Sequence, residues 1–404
     1  RAEARGIAER WLAEARIGRD RVRFALPPSQ AQVMAGDVVS LETTAGLREF
    51  RLDRVESAGA RLVEGVRVDS SIAAAPSGAE TIPTVAAAQT TPAGRVYPLF
   101  MDLPLLTGSE VEHAPHVAAS AVNWPGSVAV YQSAEDAGYA LDTVLERAAV
   151  IGITESGLGA ATEGLVDRGA ALQVRLIRGA LSSVSSEAVL NGANAAVIGD
   201  PATGVWEVFQ FTRAVLVGER LWELSELLRG QAGTDGVMPP VWPTGSHFVL
   251  LDGAARQIGL ASEQRGLERH YRVGPASKSY DDPAFVHEVH AFQGVGLRPY
   301  RVVHLRAGAN EAGDLELSWV RRTRIDGDSW EAYEVPLGEE RELYRVQVWA
   351  AGVLIREEEV TAPAWTYAAA QQAADGVAAP FEIDVAQISD RYGAGPSRRI
   401  TING

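Results

Sequence analysis

Between Arg21 and Asp69 apolar residues recur at every second position, in short runs broken by turn formers. That period-two pattern commits this part of the chain to a compact antiparallel β module. Val22, Phe24 and Leu26 alternate up to Pro27-Pro28, and Gly36-Asp37 turns the chain into Val38, Val39 and Leu41. Phe50, Leu52 and Val55 continue the pattern before Leu62, Val63, Val66 and Val68. Ahead of it, Ile7, Trp11, Leu12 and Ala15 recur at helical spacing, which predicts one amphipathic helix over residues 2–17, packed on that sheet through Trp11.

The 404 residues suggest two to four domains. With 46% hydrophobic and 22% charged residues the composition is that of a folded globular chain, which excludes wholesale disorder. Cysteine is absent, so disulfides, thiolate zinc sites and cysteine-held iron–sulfur clusters are excluded. The net charge of −15 argues against a general duplex-binding surface and leaves DNA only as passing cargo. Lys278 is the sole lysine; a coding bias toward GC explains the arginines more simply than a recognition role. No apolar run approaches the length of a membrane span. The methionines are Met34, Met101 and Met238, so a segment of a longer polypeptide is expected.

Four segments follow from the composition: a β module with its N-terminal helix over 1–69, an Ala/Thr/Ser/Pro stretch over 70–94, a second β-rich module over 95–297 and a sandwich over 298–404. The stretch over 70–94 reads equally as a linker or as an extended arm. Strands are predicted at Ser127 to Tyr131, Ala171 to Ile177, Trp206 to Phe211, Ala214 to Val217, Trp222 to Leu228 and His247 to Leu251, with a short helix over Glu187 to Asn194. Val96 to Leu105 is a candidate to complete the first module's sheet. In the last hundred residues Leu315, Leu317 and Trp319 alternate, followed by Trp330 to Val335, Tyr344 to Trp349, Val353 to Val360 and Phe381 to Ile388. Short strands at this spacing argue for a β-sandwich. Phe381, Ile383 and Val385, then Gly393-Ala394-Gly395-Pro396-Ser397, Ile400 and Ile402, resemble the last hairpin of a fibronectin type III domain with Trp319 as its core tryptophan. Phe381 stands where that family usually has Tyr, and the hairpin turn is one residue longer.

Candidate chemistry is sparse. His287 and His290, like His113 and His116, have the spacing of a helical metal pair, but on strands their side chains point to opposite faces. Asp281-Asp282, Glu110 with Glu112, and Glu331 with Glu334 are acid pairs of the kind glycan cleavage needs, yet 52 acids make such neighbours inevitable. Ser182 to Ser186 lack a nucleophile elbow, and Gly157-Leu158-Gly159 lacks the remainder of a dinucleotide loop. Leu228 to Asp235, with Arg229, Gly230, Gln231 and Gly233, reads either as a subunit contact or as a tight loop whose glycines take positive φ. No catalytic residue, metal or cofactor is expected.

A short helix with Trp11-Leu12, then Arg23-Phe24-Ala25-Leu26-Pro27-Pro28, Gly36-Asp37-Val38-Val39 and Phe50-Arg51-Leu52-Asp53-Arg54-Val55, resembles in its order the tail-tip hub proteins of siphophages. The nearer likeness is to the large baseplate protein of the gene transfer agents of alphaproteobacteria and related phages. Leu228-Arg229-Gly230-Gln231 with Gly233-Thr234, and Gly296-Leu297-Arg298-Pro299-Tyr300, look like further signatures of that family. The resemblance implies a mainly β, multidomain structural virion protein at the distal end of the tail, assembled in the bacterial host cytoplasm. It implies a homotrimeric ring that caps the tail tube, contacts other tail-tip and tail-tube proteins and a host receptor, and aids envelope penetration and DNA delivery. The competing reading is a secreted carbohydrate-active or carbohydrate-binding protein with an appended fibronectin-like domain; a deep pocket with converging acids or with Trp124, Trp206 or Trp242 would favour it. A cell-surface adhesin is the third.

Overall fold

The computed structural model describes residues 2–70, 94–327 and 335–403. They fall into two compact units, residues 1–89 and 90–404. The 70–94 stretch and the predicted Trp330 to Val335 strand lie almost wholly outside the described residues.

In the first unit a helix over Ala2–Ile17 precedes strands Arg21–Leu26, Val38–Thr43, Gly46–Ala58 and Ala60–Val68. They form one antiparallel sheet in the order first, fourth, third, second. The Gly36-Asp37 turn forms as expected: Gly36 takes a φ of +100°, and the Asp37 carboxylate accepts the Met34 N–H at 2.8 Å. A bulge between Leu52 and Arg54 presses the backbone onto the neighbouring strand, where a Cβ on Gly65 would lie 2.7 Å from the Arg51 carbonyl. The helix does not pack as predicted. Trp11 is 69% and Leu12 72% exposed, Ala15 is exposed as well, and Ile17 is the half-buried end. Helical periodicity identifies an apolar stripe but not what covers it, and this unit buries only Phe50, Leu52 and Val63 among its described hydrophobic residues.

The second unit contains a closed barrel. Strands Ile151–Thr154, Leu172–Leu176, Leu221–Gln231, Val205–Gly218, Ala195–Asp200 and His247–Leu250 pair antiparallel in that order, and the last returns to the first. Closure removes free edges, and the interior fills with Leu172, Val174, Ile198, Phe209, Phe211 and Phe248. The barrel is inserted into a second β structure made from both flanks: Val128–Ser133 pairs with Arg269–Pro275, so that Val130 stands opposite Val273. Tyr97–Met101 pairs with His116–Ser120 here and so does not extend the first unit's sheet. The two predicted strands from Trp206 to Val217 are one continuous strand, and the predicted helix spans only Ser186–Leu190, capped by Ser185.

The C-terminal sandwich sets Val303–Ala309, Leu315–Val320 and Ala364–Tyr367 in one sheet. Val353–Val360, Tyr344–Ala350, Phe381–Ser389 and Arg398–Ile402, with the short Gly393–Ala394, form the other, and this two-sheet arrangement is like that of a fibronectin type III domain. Leu315, Leu317 and Trp319 face the core while Glu316 and Ser318 face water. Trp319 meets the Tyr344 ring edge-on at 5.2 Å. Phe381 lacks a hydroxyl, but it packs edge-on against Tyr367, whose own hydroxyl donates to Asp375 at 2.6 Å. Replacing Trp319 with Ala should cost about 3 to 5 kcal/mol, as for other large buried aromatics. Hydrogen exchange would then show protection lost from Val303 to Ile402 and retained in the barrel.

Candidate functional site

The barrel strand Leu221–Gln231 ends in Leu228-Arg229-Gly230-Gln231, and the segment that follows is built by one buried carboxylate. Glu207 accepts from Arg229 Nε at 2.7 Å and Arg229 Nη2 at 2.8 Å, a bidentate pair with both side chains fully buried. The same carboxylate accepts the Gly230 N–H at 3.0 Å and the Trp242 indole N–H at 2.6 Å. Arg229 spends its remaining donors inside, with Nη1 bonded to the Gly159 carbonyl at 2.9 Å and 3.6 Å from Asp167. Arg229 is therefore an internal brace, and its guanidinium does not reach a surface where another subunit could meet it. Gln231 donates to the Arg229 carbonyl at 3.0 Å, and the Thr234 hydroxyl accepts the Val208 N–H where the barrel strand bulges.

Two glycines in this segment are required by close approach as well as by positive φ. A Cβ on Gly230 would sit 2.7 Å from Asp235 Cβ, and one on Gly233 would enter the Tyr300 ring at 2.2 Å. Tyr300 belongs to Gly296-Leu297-Arg298-Pro299-Tyr300, so the two sequence signatures of the second unit meet in space. Pro396 and Gly395 of the sandwich's last hairpin close over the same place: a Cβ on Gly236 would lie 2.6 Å from Pro396, and one on Gly395 2.5 Å from the Pro299 carbonyl.

Charge completes this seam. Asp235 accepts from Arg301 at 3.1 Å and from Arg322 at 2.8 Å, while Glu163 pairs with Arg301 and Arg398 at 3.1 Å each. Burial and the bond to Glu163 raise Asp235, and the bond to Asp235 together with the Arg301 and Arg398 guanidiniums draws Glu163 down to about 2. Nearby, Arg324 donates to Glu112 at 2.6 Å, to Glu339 at 3.0 Å and to the Gly338 carbonyl at 2.9 Å. Burial opposes it, but Arg324 and Arg391 hold Glu112 below the usual carboxylate range. A cleft of about 1360 Å³ runs beside the seam, bordered by Gln231, Gly233, Tyr300 and Arg322. The guanidiniums of Arg322 and Arg324 on its border are engaged by carboxylates, and the arrangement does mechanical work: it clamps the sandwich to the barrel.

The other sequence candidates are dispersed. Glu110 caps the Thr107 and Gly108 N–H groups, and Asp282 accepts from Lys278 and the Ala284 N–H. Glu331 and Glu334 lie outside the described residues. His116 is buried and pushed down to about 4 by that burial, His290 packs on Phe100 and Phe292, and His287 stacks on His270 on the opposite face. Trp242, Trp206 and Trp124 belong to three different cores. Within Gly157-Leu158-Gly159, Leu158–Gly159 pairs with Val241–Trp242 in a two-stranded sheet of its own. Sequence reasoning missed Glu207 and Glu163, and gave Asp235 no role of its own, because nothing in one sequence reports that a carboxylate among 52 is buried.

Glu207→Gln leaves the buried Arg229 charge with only the more distant Asp167 as counter-ion and should destabilise the second unit by about 3 to 5 kcal/mol in chemical denaturation, more than a joint Glu207→Met, Arg229→Met exchange. The depressed carboxyl of Glu163 contributes stability that is complete above its unfolded value of about 4.3 and is lost as the pH falls toward about 2. Acid unfolding of Glu163→Gln should therefore have a shallower limb in that window than the parent chain.

Comparison with known families agrees with these boundaries. Residues 149–249, which frame the barrel, match a family described as "Rcc01698-like, C-terminal". No curated protein matches the chain. Among solved structures it is similar to domains d3-d4 of the rat CD45 extracellular region, at 11% identity over 36% of this chain and 68% of that one, with a TM-score of 0.20. It is also similar to a two-domain fibronectin type III segment of chicken tenascin, at 8% identity over 62% of this chain and 99% of that one (TM-score 0.20). The FN1-FN3 domains of chicken CNTN1 match at 12% identity over 77% of this chain and 98% of that one (TM-score 0.19). At such scores these likenesses carry no argument. The N-terminal helix and the first strands, residues 1–55, match a family described as "Putative phage tail protein", so this part of the chain is similar to phage tail proteins.

Proposed function

We propose that this chain is a structural part of a phage-type tail tip, a baseplate hub of the kind found in gene transfer agents and related phages. The observation that carries the reading is the match of residues 1–55 to a phage tail family, on a chain whose Arg229 and Tyr300 motifs serve internal bracing. Three copies would close as a ring over the tail tube, since contacts related by rotation terminate when the rotation closes. The sandwich would stand on the ring as a spacer or adhesive module, next to other tail proteins and the host envelope. Exposed apolar groups suit such an assembly: Trp11 and Leu12 on the first unit's helix, and Val215, Leu216 and Val217 at the tip of the longest barrel hairpin. A surface of net charge −15 lets DNA pass without adhering.

We infer no enzymatic role for these residues. The carbohydrate reading asks for a deep pocket with converging acids or with Trp124, Trp206 or Trp242; the three tryptophans pack in three cores, and none of them borders the cleft beside the seam. Light scattering of the purified chain at assembly concentrations should give the mass of three copies, and images of the native particle a ring at the tail's end. A stable monomer with no such ring would sink the hub reading.

A further inference from the structure

A cluster of three potential metal ligands lies on the flanking β structure, away from the seam. His270 sits on the strand Arg269–Pro275 and His287 on its antiparallel neighbour Val286–His290, offset diagonally because His287 faces Arg272 across the ladder. Their rings stack with planes 9° apart, and His270 Nδ1 lies 3.0 Å from His287 Nε2. Asp136 reaches the same point from the turn between Val128–Ser133 and Ala140–Leu145, with Oδ1 3.8 Å from His287 Nε2. All three donor atoms fall within 4.8 Å of one another, the only such group among the described residues.

We propose that Asp136, His270 and His287 bind a divalent first-row transition-metal ion, with zinc as the reference case. Bonds of about 2.0 to 2.2 Å in tetrahedral geometry separate neighbouring donors by about 3.4 Å. The observed 3.0 and 3.8 Å bracket that separation and the third pair, His270 with Asp136, lies within 4.8 Å, so side-chain rotations that draw the three donors together are required. Two imidazoles with one carboxylate suit zinc, nickel, cobalt or copper and disfavour magnesium and calcium, which require oxygen donors. The carboxylate is already oriented: Asp136 Oδ1 accepts from Tyr139 at 2.5 Å and from Arg272 at 2.8 Å. Hydrogen bonds from Tyr139 and Arg272 keep that carboxyl ionised, at about 2. Arg272 also repels a dication, which places the expected affinity in the micromolar range. His287 and Asp136 are partly exposed, so an ion can enter from solvent and the vacant coordination positions take water. Bound metal would pin the turn at Asp136 to the neighbouring hairpin. This site is independent of the tail-tip reading.

The test uses the whole chain, untagged and stripped with a chelator, titrated with zinc and then cobalt by calorimetry and visible absorption. One ion per chain should bind, with cobalt bands of a four- or five-coordinate site. Binding should be lost in His270→Gln and in His287→Gln, weakened in Asp136→Asn and unchanged in His113→Gln and His290→Gln. X-ray absorption of the zinc-loaded parent chain requires no variant and should show two imidazoles with oxygen completing the shell. The proposal is overturned if no saturable site appears at micromolar metal, if a His270→Gln, His287→Gln double variant binds as the parent does, or if fewer than two imidazoles are found.

Discussion

The Glu207 carboxylate is the point on which the second unit depends. It stands in the interior of a closed barrel and accepts from two nitrogens of Arg229, the Gly230 amide and the Trp242 indole. An isolated carboxylate there would cost several kcal/mol, and so would an isolated guanidinium; each is tolerable only because the other fills its hydrogen-bonding capacity. Swapping both for apolar residues of like volume would not necessarily weaken the barrel. Three distinct pieces of chain, however, are registered against one another by those four bonds, and an apolar pair has no such directionality. The glycines follow from this. With Arg229 turned inward, the backbone at Gly230 must bend sharply, and Gly233 then lies flat against Tyr300.

The register set at Glu207 is passed on to the sandwich. Asp235 comes five residues after Gly230, and its position decides where Arg301 and Arg322 can meet a carboxylate. The link is rigid for a physical reason. Aromatic contact, glycine close approach and paired charges all act within one short span, and each is satisfied by a single relative placement of barrel and sandwich.

Much of this was legible in the residues and some was not. Alternation at Leu315, Leu317 and Trp319 gave the correct inward face, because a strand with one wet face leaves a period of two whatever its partners. The Gly36-Asp37 turn was readable because positive φ restricts the residue type. The strands Val303–Ala309 and Ala364–Tyr367 were missed. Those two carry Gly, His and Arg or only one alternation cycle, too little for periodicity to register. Trp11 misled because an apolar helix stripe asks for a cover without naming it. The barrel's insertion was invisible, since pairing of Val130 with Val273 spans more than a hundred residues. Arg229 and the glycines stood out as a motif, but their acidic partners Glu207 and Glu163 are single residues in unremarkable surroundings. The Asp136, His270 and His287 group escaped for the same reason: its members come from three elements, and the histidines that attracted notice were neighbours in sequence instead.

The barrel is entered at Ile151 and left at Leu250, and those two strands are hydrogen-bonded to each other, with Ile151 opposite Val249. Its two ends are therefore side by side, as in a loop that has grown into a domain. The chain ends left by excising the barrel would already lie side by side, and a different domain with equally close ends could take its place if it renewed the cover over Leu99, Met101 and Ala118 and the clamp on the sandwich. Such a geometry makes the barrel a cassette. Lineages can exchange or elaborate it while the host sheets keep their own pairing, so variation in what the barrel contacts need not disturb the framework that holds it.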